Sequence, residues 1–193
     1  MYSVTSNNKL TSMTAADFVK SFNRFIKEDY KHTDSTDKTT FDTNANKRIK
    51  KYGIVVSLLK TLPQDVVLEA ETTPNGKYNI GTLCETILNA IADDFKKGIY
   101  HKAIHGEDIK IGNKRYEIKT SLSCYCKSTP CKANEKGKYR ATILLNSEGV
   151  WLINSADVPS YLTKTGSLPW QGECGREYKR FTKALQFEGE DAE

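Results

Sequence analysis

From Asp108 to Thr120 apolar and charged positions alternate: Ile109, Ile111, Tyr116 and Ile118 interleave with Asp108, Lys110, Arg115, Glu117 and Lys119. A period of two marks strands with one apolar face. Gly112-Asn113 between the two runs suits a two-residue type II′ turn, which fixes the hairpin register. Counting back from that turn pairs Ile111 with Lys114, Lys110 with Arg115, Ile109 with Tyr116 and Asp108 with Glu117. Two carboxylates are therefore expected to face each other. Further on, the apolar runs Tyr139 to Asn146 and Val150 to Asn154 flank Ser147-Glu-Gly149, a second hairpin extending the same sheet.

Elsewhere the period is helical. Residues 1–11 are polar and read as frayed, and Thr14-Ala-Ala-Asp17 then has the form of a capping box with Asp in place of Glu or Gln. Phe18, Val19, Phe22, Phe25 and Ile26 follow as the apolar stripe of a helix ending near Tyr30. A loop over 31–43 leads to a second helical stretch, Asn44 to Leu62, then a short strand, Val66 to Glu71, and a turn at Thr73-Pro-Asn-Gly76. From Ile80 the positions Leu83, Cys84, Ile87, Leu88, Ile91 and Phe95 predict a helix that Gly98 ends. Asp157 to Leu162 suits a short helix, Thr165 to Gly175 a loop, and Arg176 to Leu185 a last helix. The order predicts an α/β domain with a central mixed β-sheet flanked by helices. Its expected division is an N-terminal helical part, 1–65, packing on a core, 66–193, with a Cys-rich insertion at 122–138.

The chain has 193 residues, 38% of them apolar, and no apolar run approaches a bilayer span, so no membrane segment is expected. Met1 to Lys9 is polar and unlike a signal peptide, which makes cytoplasmic the expected location. A net charge of +5 and a pI near 8.8 are compatible with a nucleic-acid partner without requiring one. Lys47, Arg48, Lys50 and Lys51 crowd the start of the second helical stretch, where cations oppose the helix dipole. They form either a phosphate-contacting patch or a solvated face. Arg176, Lys179, Arg180 and Lys183 give the last helix a basic face, a second candidate DNA surface. The acidic tail from Glu188 to Glu193 is read as solvated.

Opposed carboxylates in a sheet are unfavourable unless positive charge lies between them. Lys119 shares the face of Glu117, and a divalent ion can supply the rest. Hard oxygen ligands suit Mg²⁺ (or Mn²⁺), which takes one or two carboxylates and fills its other positions with water and phosphate oxygens. Asp108 followed by Glu117-Ile118-Lys119 resembles the PD-(D/E)xK nuclease superfamily, which includes many restriction endonucleases and DNA repair or recombination nucleases. The likeness covers roughly residues 78 to 160. It departs from the pattern at Glu107, which stands in place of the Pro before the Asp, and in the Cys-rich segment after the Lys strand.

The resemblance implies a restriction-endonuclease-like fold and Mg²⁺-dependent hydrolysis of phosphodiester bonds in DNA, as an endonuclease of restriction or phage/repair type. It implies that Asp108 and Glu117 bind the metal, that the main-chain carbonyl of Ile118 completes the coordination, and that Lys119 orients or deprotonates the attacking water. An acidic residue from the preceding helix is a frequent addition, and Glu85 is the matching position. A homodimer cutting both strands is a further implication, and RNA is left open as substrate.

Cys124, Cys126 and Cys131 fall within eight residues, with Cys174 remote. Four thiols can make a tetrahedral structural Zn²⁺ site, or can stay free and reduced. Cys84, on an apolar stripe, reads as core. His101 and His105 read as surface residues, with a role for His105 beside the hairpin left open. The competing class is a noncatalytic nucleic-acid-binding or assembly protein whose Cys cluster holds structural zinc.

Overall fold

Thr14 opens the first helix as its sequence predicts. Its Oγ1 accepts the Asp17 backbone N–H at 3.1 Å and donates to Asp17 Oδ2 at 2.9 Å, so Asp serves in the capping box. The computed structural model describes residues 9–31, 52–73, 78–93, 99–100, 108–111, 114–122, 128–130, 141–146, 148–164, 166–169 and 178–180. Helix α1 runs Ala15–Lys31 and buries Phe18 and Phe22. A second helix, α2, is described over 52–61 and buries Val55 and Leu59.

Before α1 lies strand β1, Lys9–Thr14, where fraying was expected through residue 11. It pairs antiparallel with β2, Val67–Thr72, which pairs in parallel with β3, Ile99–Tyr100. The polar run of β1 offers no apolar stripe to read. Main-chain bonds hold it, helped by Thr72 Oγ1 donating to the Lys9 carbonyl at 2.9 Å.

Helix α3, Ile80–Ala92, is capped by Asn79, whose Oδ1 accepts the Thr82 N–H at 3.4 Å. It ends at Ala92 rather than at Gly98, with Asp93 as C-cap. Asp93 sets negative charge at the negative end of the dipole, which favours stopping there.

A five-stranded mixed sheet follows. Its members are β4, Ile109–Ile111; β5, Lys114–Ser121; β7, Ala141–Asn146; β8, Gly149–Asn154; and β10, Lys179–Arg180, in the order β10-β8-β7-β5-β4. Only β5 and β7 run parallel to each other; the other neighbours are antiparallel. Lys179 and Arg180 thus sit in an edge strand where a last helix was predicted. Tyr178, Phe181 and Leu185 offer a helical apolar spacing there, but Tyr178 is buried and donates to the Pro169 carbonyl at 2.8 Å, which anchors the chain as it enters the edge. Edge strands tolerate cations well.

The expected loop Thr165 to Gly175 contains β9, Ser167–Pro169, paired antiparallel with β6, Ser128–Pro130, inside the Cys-rich insertion. Helix α4, Val158–Tyr161, matches expectation.

The fold is mixed α/β, with its strands in two mixed sheets and a two-stranded ribbon rather than one central sheet. One face of the five-stranded sheet carries Ile109, Ile111, Tyr116, Ile118, Ile143 and Leu145 into a core shared with the three long helices and β2. Phe18 and Phe22, from the N-terminal helical part, belong to that core. The other face carries Leu144, Trp151 and Ile153 into a smaller cluster with Val158, Leu168 and Tyr178. No helix among the described residues is long and apolar enough to cross a membrane.

Candidate functional site

The hairpin register is the one its turn predicts: Ile109 pairs with Tyr116, Lys110 with Arg115 and Ile111 with Lys114. The ladder stops there. Asp108 donates its N–H to the Tyr116 carbonyl at 3.2 Å instead of continuing opposite Glu117. Its carboxylate turns onto β5, where Oδ2 accepts the Ile118 N–H at 2.8 Å. The expected ladder pair of carboxylates is therefore replaced by an Asp108 side chain resting against the amide that directly follows Glu117. A carboxylate accepting a backbone N–H is a charge-assisted bond, stronger than the neutral ladder bond it supplants.

Asn89 fixes the other side of Asp108. From α3 its Nδ2 donates to the Asp108 carbonyl at 2.9 Å and to the Glu85 carbonyl at 2.8 Å, using both amide hydrogens. Sequence reasoning missed this residue. The available signal was an Asn four residues after Glu85, on the same face of an otherwise apolar helix.

Alternation along β5 places Arg115, Glu117 and Lys119 on the sheet face turned away from the helical core. Glu117 is 7% exposed, and its Oε1 is ion-paired with Lys119 Nζ. A desolvated carboxylate is costly unless paired, so Lys119 is what lets Glu117 lie there.

Glu85 belongs to the opposite side. It stands on α3, which covers the helical face, and its Oε2 is buried. Next to it the Cys84 thiol is pushed up to about 12, chiefly by burial; the Glu85 charge adds to the rise and a hydrogen bond with the Thr120 side chain opposes it. The structure thus joins Asp108, Glu117 and Lys119 around one stretch of β5, while Asn89 links the main-chain carbonyl of Glu85 to that of Asp108.

Among the described residues no three His, Cys, Asp or Glu side chains gather into a group able to hold a metal ion. The oxygen donors along this stretch are the Asp108 carboxylate, resting on the Ile118 amide, and from β5 itself the Glu117 carboxylate and the Ile118 carbonyl. In an extended strand a residue's C=O points to the same edge as its N–H. The Ile118 carbonyl therefore points to the edge where Asp108 accepts its N–H, past the last paired residue of β4. This is a hard-oxygen set of the size Mg²⁺ uses, with water completing the shell.

Cys84 yields an expectation for pH. The unfolded thiol ionises near 9.0 and the folded one only near 12, so between these values the folded chain keeps a proton that the unfolded chain has lost. Its contribution is fully present below pH 9 and falls as pH rises toward 12, by on the order of 1 kcal/mol per pH unit. Denaturant unfolding at pH 8 and pH 10.5 should show a larger loss of stability in the native protein than in Cys84→Ala. Equal losses would remove the burial argument.

Lys47, Arg48, Lys50, Lys51, His101, His105, Cys124, Cys126, Cys131, Cys174, Arg176 and Lys183 lie outside the described residues. Lys179 and Arg180 lie in strand β10, paired with Leu152 and Trp151, where the expected basic helix face would have been. Compared with protein-family models, with curated proteins and with solved structures, the chain matches none.

Proposed function

We propose that the chain is a Mg²⁺-dependent nuclease hydrolysing phosphodiester bonds in DNA, an endonuclease of restriction or phage/repair type on a restriction-endonuclease-like fold. One observation carries this reading: the Asp108 carboxylate is held at 2.8 Å against the amide that joins Glu117 to Ile118, beside the partly buried ion pair of Glu117 and Lys119. Three chemically matched groups thus meet on one short piece of strand. Asp108, Glu117 and the Ile118 carbonyl would hold Mg²⁺, or Mn²⁺ in its place. When bound, the ion supplies positive charge for the pentavalent transition state and makes water more acidic.

The chain's own groups do the rest. Asp108 is held in place from two sides, by Asn89 on its carbonyl and by Ile118 on its carboxylate, so little reorganisation is needed on binding. Lys119 is the amine beside the carboxylates, placed to orient the attacking water or take its proton. Glu85, whose main-chain carbonyl shares Asn89 with the Asp108 carbonyl, is the acidic residue that the preceding helix would add. Cutting both strands of a duplex calls for two such sites, hence a homodimer.

A second reading, a noncatalytic nucleic-acid-binding or assembly protein with structural Zn²⁺, draws on the small ribbon. Ser128, shortly after Cys126, pairs with Pro169, shortly before Cys174, so the ladder ties the Cys-rich insertion to the stretch holding the remote thiol. Incubating supercoiled plasmid with the protein, in Mg²⁺ or in EDTA, separates the two. Metal-dependent nicking or linearisation is the expected result. Retarded mobility without cleavage in either buffer would leave the binding protein.

A further inference from the structure

The hairpin that holds Asp108 also holds a conflict of charge. Lys110 and Arg115 are direct cross-strand partners, so their side chains leave the sheet side by side on one face. Both are exposed, and among the described residues neither forms an ion pair. Like charges directly opposite destabilise a sheet, and among the described residues no carboxylate pairs with either of these two.

Its position matters. Arg115 precedes Glu117 by one full pleat on the same face, about 7 Å along the strand. The file Arg115, Glu117, Lys119 therefore runs from the exposed cationic pair to the buried ion pair. The neighbouring positions on the other face, Ile109, Ile111 and Tyr116, are committed to the core, while the two cations are exposed on the face away from it.

We propose that Lys110 and Arg115 form a phosphate-binding pair that seats the DNA backbone beside Glu117 and Lys119. The inference rests on the nuclease reading and adds to it the contact that positions substrate. An exposed pair of cations that forms no ion pair among the described residues suits a polyanion, because neutralising phosphates releases condensed counterions. The guanidinium of Arg115 can grip one phosphate through two parallel hydrogen bonds, and Lys110 adds a point charge to the same or the next one. Such contacts fix register and orientation without reading sequence. This places substrate recognition on the hairpin itself.

The test measures binding of a fluorescently labelled DNA duplex by anisotropy across a salt series in EDTA, so that nothing is cleaved. Lys110→Gln with Arg115→Gln should weaken binding about tenfold or more at low salt and reduce the slope of log affinity against log salt by about 2. Lys20→Gln with Lys60→Gln removes the same net charge from exposed helical positions and should leave the slope nearly unchanged. Arg115→Glu separates binding from folding: it gives Lys110 an opposite charge across the strand, so the melting temperature should hold or rise while DNA affinity falls. A double Gln variant with the native slope overturns the phosphate pair yet leaves the nuclease reading standing, provided that the native protein cleaves. A native protein that neither binds nor cleaves DNA overturns both.

Discussion

Asp108→Asn should lower metal-dependent cleavage of plasmid DNA about 10³-fold while the protein stays folded. The substitution is chosen from the contact that Asp108 makes. Its carboxylate accepts the Ile118 N–H, and an Asn side chain keeps an oxygen that can accept the same bond. Only the charge is lost, so a fall in cleavage with little change in melting temperature assigns the effect to chemistry. Asp108→Ala removes charge and acceptor together and should add a loss of stability.

Lys119→Ala should be equally inactive, but it differs in stability. It strips the partner from a Glu117 that is 7% exposed, leaving a desolvated charge. Removing one member of a buried pair is often more damaging than removing both. Glu117→Gln combined with Lys119→Gln should therefore fold better than Lys119→Ala alone and still fail to cleave. Native-like cleavage by both Asp108→Asn and the double Gln variant would sink the nuclease reading.

How far this site was legible in the sequence depends on what fixed each part. The turn at Gly112-Asn113 sets the register through backbone geometry alone, and the three ladder pairs of β4 and β5 follow from it. Asp108 lies one step past that ladder, where a side chain competes with the backbone for its partner, and counting residues could not show that it would bend onto Ile118. Asn89 was equally hidden, because its role is set by a carbonyl nineteen residues away.

The same distinction runs through the fold. Helices α1 and α3 announced themselves by stripes and caps that are local. Strands β1, β9 and β10 are polar or short, and each exists because a particular neighbour pairs with it: Val67–Thr72, Ser128–Pro130 and Trp151–Leu152. Tertiary partners of that kind leave no periodic trace in the strand they recruit.

Strand β7 gives the test of the layered arrangement that supports the site. Ala141 to Asn146 is buried at all six positions, the signature of a strand covered on both faces. Ile143 faces the helical core and Leu144 the smaller cluster, and both are fully buried. Truncating either to Ala should cost about 2–5 kcal/mol in denaturant unfolding, from lost burial and the cavity left behind. Ile143→Ala should fall toward the upper end, because long helices pack against it and cannot close the gap. Leu144→Ala should fall toward the lower end, since the short α4 and β9 can settle inward. The two side chains leave opposite faces of one strand and belong to different clusters, so their effects should add in the double variant. Leu10→Ala, at a residue 56% exposed, should stay within about 0.5 kcal/mol of native. Leu144 is also the cross-strand partner of Lys119, so its cluster props the face on which Glu117 and Lys119 stand. A Leu144→Ala protein as stable as the native one would mean that this face is not a packed layer, and the burial that makes the Glu117–Lys119 pair obligatory would lose its cause.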